Sequence, residues 1–282
     1  MPHFDKLGIQ VYALSYDEVD ALRDFRDAHS ITYTLLSDPH SEVIRSFGIL
    51  NTLIDEDDHP WFGIPYPGTY IVDAKGEITH KFFDSNLAVR AGPEQLIRAA
   101  LGETAEPVAG TPLSVESVQV DLALEGETLM PTVQRDLVAR FRVPAGRHVY
   151  AWPAPTGSVA VDIRLDQDER LVQRPVTRPA SEPHSLPGSE ETFLVHHNEF
   201  ELRLPLTVNS ALSREDTSIT IAGTIHWQSC DDEVCDIPSR ERFELTAAIG
   251  QAPANALWNK TGEALEPNAA AHFKKMTSRR ER

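Results

Sequence analysis

The spacing of apolar residues changes once along this chain, near Leu113, from helical periods and short buried runs to alternation. Before that point GIQVYALS is a short β-rich apolar run bounded by Gly8 and Ser15, which predicts a buried parallel strand. Ser15 and Glu18 form an S-x-x-E capping box, and Val19, Leu22 and Phe25 recur at helical spacing, so a helix with one apolar face follows. ITYTLLSD predicts a second extended stretch. Asp38 and Pro39 then supply the cap and first-turn residue of a helix through Val43, Ile44 and Phe47, which Gly48 ends. In GTYIVDAKGEITHKFF two β-rich runs flank Ala74-Lys75-Gly76, the signature of an antiparallel hairpin. A last helix starts at Pro93, buries Leu96, Ile97, Ala100 and Leu101, and stops at Gly102. This order is an α/β layer with a mixed sheet, spanning residues 1–104.

A linker at residues 105–112 leads into short alternating runs: SVQVDLAL, LVARFRV, HVYAW, VAVDIRL, EFELRLPLTV, SITIAGTIHW and RFELTAAI. Strands at this spacing predict an all-β sandwich over residues 113–250. RPVTRPASEPHSLPG, rich in proline and poor in apolar residues, predicts a long loop between two of them. Residues 251–282 form a polar tail that ends in a basic cluster of Lys274, Lys275, Arg279, Arg280 and Arg282.

The chain is 282 residues long, enough for two domains with cores of their own. A formal charge of -17 argues against a nucleic-acid partner, which requires a concentrated positive face. No apolar run approaches the roughly 20 residues of a membrane-spanning helix. The opening residues have no signal-peptide pattern, so the chain as written reads as cytoplasmic, and as periplasmic if the true start lies upstream of Met1. His29, His40 and His59 are scattered and read as surface residues, and nothing in the pattern calls for a cofactor or metal.

GIQVYALSYDEVDALRDFRDAHSITYTLLSD, followed by FGI and GIPYPGTYIVDAKGEI, resembles the peroxiredoxin family within the thioredoxin-like fold, over roughly residues 4 to 101. The most specific part is Pro67-Gly68-Thr69-Tyr70-Ile71-Val72-Asp73, similar to the stretch where that family places a proline before a core strand. The resemblance makes Pro67 the candidate cis-proline and sets Pro67 and Thr69 facing a substrate or partner. It also implies a nucleophilic cysteine upstream. No cysteine precedes Cys230 here, so the resemblance implies an incomplete thioredoxin-like domain lacking its first strand and active-site cysteine, and peroxidase chemistry has no nucleophile. The missing strand would lie between those of GIQVYALS and GTYIVD, and each backbone group left unpaired costs about 1–3 kcal/mol. An internal or misassigned start at Met1, or a different pairing of the strands, would account for this.

The two cysteines, Cys230 and Cys235, lie in HWQSCDDEVCDIP, just before the run RFELTAAI. Two strands joined by so short a loop bring the Cβ atoms within bridging range, so a disulfide is plausible. With GRHVYAW and VDIRL, the segment from Trp227 to Pro238 resembles the N-terminal domain of the thiol:disulfide interchange protein DsbD family, over about residues 112 to 250. That resemblance implies an immunoglobulin-like sandwich whose cysteine pair relays electrons with a thioredoxin-like protein, or with the fused redoxin domain, and it sets Trp227 facing the partner. The aromatic residues that cover the pair in that family are not identifiable from this sequence.

Three readings of the pair remain open: a redox relay, a structural hairpin disulfide in a non-catalytic binding module, and a zinc site using both cysteines with His226 or an aspartate. A six-residue loop restrains the unfolded chain by only about 2 kcal/mol, which a sandwich of this size hardly needs; the relay explains the pair better. Asp231, Asp232, Glu233 and Asp236 should raise both thiol pKa values by like-charge repulsion, so the pair should accept attack and not initiate it. His196 and His197 alternate across a strand and cannot both face one metal.

Overall fold

The computed structural model describes residues 2–54, 62–102, 111–114, 117–126, 128–185, 191–209, 211–213 and 215–250. His59, most of the linker and the whole of the tail with its basic cluster lie outside them. The chain is α/β followed by all-β, and its described residues divide into two units: those of 1–88 with 99–101, and those of 89–98 with 102–250.

In the first unit the strand Tyr12–Ser15 pairs in parallel with Thr34–Ser37, and the helix Val19–Ala28 links them. The helix starts at Val19 with Glu18 as its cap residue, and no side chain caps it. Ser15 belongs to the strand and spends its hydroxyl on Asp17, so the expected capping box does not form. The amphipathic face is present, yet none of its residues is buried; Val19 is 58% and Phe25 46% exposed. The strand Tyr12–Ser15 is likewise half-buried at most.

Asp38 does act at the next helix. Its two carboxylate oxygens accept the amide N–H groups of Glu42 and Ile44, so the short helix Glu42–Ser46 begins three residues beyond Pro39. Gly48 ends it with a φ of 68°. The strands Gly68–Val72 and Ile78–Phe83 form the expected antiparallel hairpin, whose turn is held by Asp73 Oδ1 accepting from Lys75 and Glu77. Among the described residues no strand joins this hairpin to the parallel pair. The small core gathers Leu14, Tyr16, Ile44, Ile49, Leu50 and Ile64.

The second unit is built on three sheets. One has the order Asp162–Leu165, Ser218–Trp227, Ser239–Ile249, Thr128–Leu129. Another has the order Leu171–Gln173, Glu199–Val208, Arg135–Arg142, Gln119–Leu124, Thr111–Ser114. Alternation decides what each buries: in Glu199–Val208 the apolar Phe200, Leu202, Leu204 and Leu206 point inward. They meet Ile221, Ile225 and Trp227 in one core, where Phe141 stacks on Phe200 at 4.9 Å and meets Trp227 edge-on at 5.9 Å. Gly223 lets two strands close up, since a Cβ there would lie 2.3 Å from the Arg164 carbonyl oxygen.

The third sheet, ordered Glu182–Ser185, Thr192–His196, His148–Tyr150, Ser229–Cys230, carries the cysteine loop. Its first strand lies in RPVTRPASEPHSLPG, where a loop was expected. The pairing of Glu182–Ser185 with Thr192–His196 runs through the backbone and a Ser185–Thr192 hydroxyl pair at 2.9 Å, which polar residues allow.

The helix Pro93–Leu101 ends at Gly102 as expected, but its buried residues are Gln95 and Ile97, and Leu101 is 37% exposed. Residues 89–98 are part of the second unit. Gln95 Nε2 donates to Asp136 at 2.7 Å, Glu94 pairs with Arg135 at 2.5 Å, and Arg98 bonds both Glu125 and Asp136.

Candidate functional site

Cys230 and Cys235 are joined by a disulfide, with their Cα atoms 4.0 Å apart. Ser229–Cys230 is a two-residue strand whose partner is His148–Tyr150, and Cys230 stands opposite His148 in the register. Cys230 is 1% exposed, packed with Tyr150, Val195, Ala154 and Phe193. Cys235 is on the exposed side of the loop. The Tyr150 hydroxyl lies 3.5 Å from Cys235 Sγ. Tyr150 and Phe193, 5.3 Å apart and edge to face, pack against Cys230 and leave Cys235 open.

Local chemistry shapes the loop between the cysteines. Asp231 Oδ1 accepts the amide N–H groups of Glu233 and Val234, and the Asp231 amide donates to the Val234 carbonyl. Those two amides, Val234 first, hold the Asp231 carboxyl below its usual pKa. Beyond Cys235 the Asp236 amide donates to the Ser229 carbonyl at 2.8 Å, and Gln228 Nε2 donates to the Asp236 carbonyl at 3.1 Å.

Arg147, just before the neighbouring strand His148–Tyr150, braces the loop. Its guanidinium donates to Ser229 Oγ at 2.8 Å and to Asp236 Oδ2 at 2.5 Å, and it lies 3.4 Å from Asp231. Two of the four acidic neighbours therefore face a cation, and the repulsion on the thiols is smaller than the sequence implies.

His148 is 2% exposed, and a cluster of His184, His197, Phe193 and Tyr150 rings surrounds it at centroid distances of 4.4–6.0 Å. Burial first, then the nearby His184 and His197, push its pKa down to about 4. One ligand atom each of His148, His184 and Asp232 lie within 4.8 Å of one another.

Several expected placements change. Trp227 is 2% exposed and belongs to the core, so it faces no partner; among the described residues the exposed tryptophan is Trp152, at 64%. The Tyr66–Pro67 peptide is trans, and the cis bond among the described residues is Trp152–Pro153. The Tyr66 amide donates to the Ile49 carbonyl, and the strand Gly68–Val72 follows directly after Pro67. Pro67 and Thr69 are half-buried in the first unit. The zinc reading through the cysteines fails in this state, because sulfurs bonded to each other are not thiolate ligands, and His226 Nε2 pairs with Thr224 at 3.0 Å. His196 stacks on Phe200 while His197 joins the ring cluster, so the two histidines do point apart.

Residues 116–247 match the family model of the thiol:disulfide interchange protein DsbD, N-terminal. The AhpC/TSA family model matches residues 1–81 and stops short of the helix Pro93–Leu101. The chain thus joins an AhpC/TSA-like segment to a DsbD-like β-domain. Its first part is 30% identical over 88 residues to Peroxiredoxin Bcp of Escherichia coli K12, covering 30% of this chain and 53% of that protein. It is 33% identical over 79 residues to a putative peroxiredoxin of Mycobacterium tuberculosis, covering 27% and 46%. The chain spans about half the length of the curated relatives it matches. Among solved structures, the reduced DsbD N-terminal domain of Neisseria meningitidis aligns with TM-score 0.31 and 15% identity, covering 48% of this chain and 92% of that one. The N-terminal periplasmic domain of ScsB from Proteus mirabilis aligns with TM-score 0.33 and 14% identity, covering 60% and 57%. Both family matches fall on thiol and disulfide chemistry, and the β-domain holds the disulfide of Cys230 and Cys235.

Proposed function

We propose that the DsbD-like domain is a thiol-disulfide relay in which Cys230 and Cys235 cycle between disulfide and dithiol. The observation that carries this reading is the asymmetry of the pair: Cys230 is buried and Cys235 is exposed. A partner thiolate attacks the Cys235 sulfur, the S–S bond breaks, and Cys230 leaves as a thiolate that takes a proton from water. The partner's second thiolate then attacks its own sulfur in the mixed disulfide and releases Cys235 as a thiolate. The partner ends as a disulfide, and its two electrons rest on the cysteine pair. Tyr150 O–H can donate to the Cys235 sulfur as negative charge develops on it.

The partner is a dithiol protein of thioredoxin-like type. Trp152, Val234 at 62% and Ile237 at 88% exposure provide apolar contact area on this unit. In an intact relative whose redoxin-type domain keeps its thiols, that fused domain is an alternative partner, and Pro67 and Thr69 are the partner-facing residues at the matching positions of this chain. Within the sequence given, the AhpC/TSA-like segment has no cysteine, so it reduces no peroxide by a thiol of its own.

A purely structural bridge is the second reading. The contacts of Arg147, Asp231 and Gln228 already hold the loop at both ends, which favours the relay. The test is anaerobic incubation of the oxidised protein with a reduced thioredoxin-type donor, followed by counting of alkylated cysteines. Two alkylated cysteines and an oxidised donor support the relay, and a bridge that stays closed overturns it. The double variant Cys230→Ser with Cys235→Ser separates the readings: the relay predicts intact folding without transfer.

A further inference from the structure

We propose that His148, His184 and Asp232 form a binding site for a divalent metal ion of the zinc class, separate from the cysteine sulfurs. The three residues come from three places in the chain: the strand beside Cys230, the strand Glu182–Ser185 and the loop between the cysteines. One ligand atom of each lies within 4.8 Å of the others, and His184 Nε2 is 3.4 Å from Asp232 Oδ1. Ligand atoms around a tetrahedral zinc sit about 3.3 Å apart, given metal–ligand distances near 2 Å. The His184–Asp232 edge has that length already, and small side-chain rotations close the other two.

The second observation is an orphaned polar atom. His148 is 2% exposed, and its Nε2 is buried with no hydrogen-bond partner; His184 Nε2 is buried and has no hydrogen bond either. A buried imidazole nitrogen without a partner forgoes a hydrogen bond it would have with water, at a cost of about 1–3 kcal/mol. A metal ion would take up that lone pair. The guanidinium of Arg147 is paired with Asp231 and Asp236, two other carboxylates of this loop.

Two imidazoles and one carboxylate select the metal class. Nitrogen donors suit Zn²⁺ and its neighbours, whereas Mg²⁺ and Ca²⁺ require oxygen ligands. Asp232 is largely exposed, so one coordination position opens to solvent and can hold water. The site stands beside the disulfide without using it, because His148 is the register partner of Cys230 and Asp232 sits two residues beyond it.

The experiment uses the full chain, freed of metal with a chelator and with the disulfide intact by thiol assay. Zn²⁺ is titrated by calorimetry, and Co²⁺ by the visible bands of a four-coordinate site. One ion per chain is expected, without competition from Mg²⁺. His148→Ala opens a hole in a buried ring cluster, so the test rests on His184→Ala and Asp232→Asn, each checked for native circular dichroism. Each should weaken Zn²⁺ binding by ~10-fold or more, and together they should abolish the cobalt bands. No zinc uptake by the unaltered chain, or an affinity left unchanged by either variant, overturns the proposal.

Discussion

The guanidinium of Arg147 reaches Asp236 Oδ2 at 2.5 Å and Ser229 Oγ at 2.8 Å, so one side chain ties together side chains on both sides of the disulfide. This relationship gives Arg147 two separable effects, one mechanical and one electrostatic. Arg147→Ala removes a charge-assisted pair that is only partly buried, and the expected loss of stability in urea denaturation of the oxidised protein is about 1–2 kcal/mol. The same change leaves the Asp231 and Asp236 carboxylates uncompensated. In the reduced protein the Cys235 thiol should then titrate higher, read as a shift of the iodoacetamide rate profile to higher pH. An unmoved profile would mean that Arg147 does no more than hold the loop.

The unequal exposure of the two sulfurs predicts unequal chemistry. In Cys230→Ser the remaining Cys235 thiol is open to solvent, while in Cys235→Ser the remaining Cys230 thiol is packed against Tyr150, Val195 and Phe193. Reaction with an aromatic disulfide reagent should be ~10-fold or more faster in the first variant, and the aromatic mixed disulfide so formed on Cys235 should be attacked by a reduced thioredoxin-type partner lacking its second cysteine, which expels the aromatic thiolate and leaves the two proteins joined through Cys235. Equal rates would show that the cover over Cys230 opens readily and would remove the basis for naming Cys235 as the point of attack.

What the sequence reveals here follows from how each element is held together. Glu199–Val208 is legible because burial of Phe200, Leu202, Leu204 and Leu206 forces alternation. The same rule applied to Ile219, Ile221, Ile225 and Trp227 puts Trp227 on the inner face, so its burial is legible in the alternation. Glu182–Ser185 was not readable. It is held by backbone pairing and one hydroxyl contact, which leave no period in the side chains, and with it went the position of His184. The cysteine pair was visible, but Arg147, His148 and Tyr150 join it only through the pairing of His148–Tyr150 with Ser229–Cys230. GRHVYAW held the available signal, since alternation sets His148 and Tyr150 on one face.

Arg203 occupies the middle of a buried charge network. It bonds Glu125 directly, reaches Glu201 at 2.5 Å, and lies 3.7 Å from Asp136. Burial, and then the neighbouring Glu125, hold the Asp136 carboxyl above its usual pKa. Arg203→Met keeps most of the packing volume but leaves those carboxylates with less cation than they need. The expected loss is about 3–5 kcal/mol at neutral pH by chemical denaturation. The loss should shrink as pH falls toward the carboxylate range, because protonation relieves the unpaired charge. A loss below about 1 kcal/mol would mean that Arg98 alone balances Glu125 and Asp136.

His196 gives the fold a dependence on acid that can be assigned to one ring. It is 3% exposed and stacked on Phe200 at 4.5 Å, with Nε2 buried and unpartnered. Burial lowers its pKa from the ordinary 6.5; His197 and Arg178 lower it further, and the Ala180 carbonyl and Glu182 act the other way. Below pH 6.5 the unfolded chain therefore takes up a proton that the folded ring refuses, until the pH reaches the depressed folded value. Stability that is fully present above pH 6.5 is therefore lost as the pH falls toward that folded value, with a slope of at most about 1.4 kcal/mol per pH unit for one group. His148 contributes in the same direction and is present in both proteins compared, so the slope in His196→Gln should become shallower without vanishing. The measurement is urea denaturation of both proteins at intervals between about pH 7 and pH 5, where the histidine proton is exchanged. Parallel lines for the two would assign the acid sensitivity to other groups.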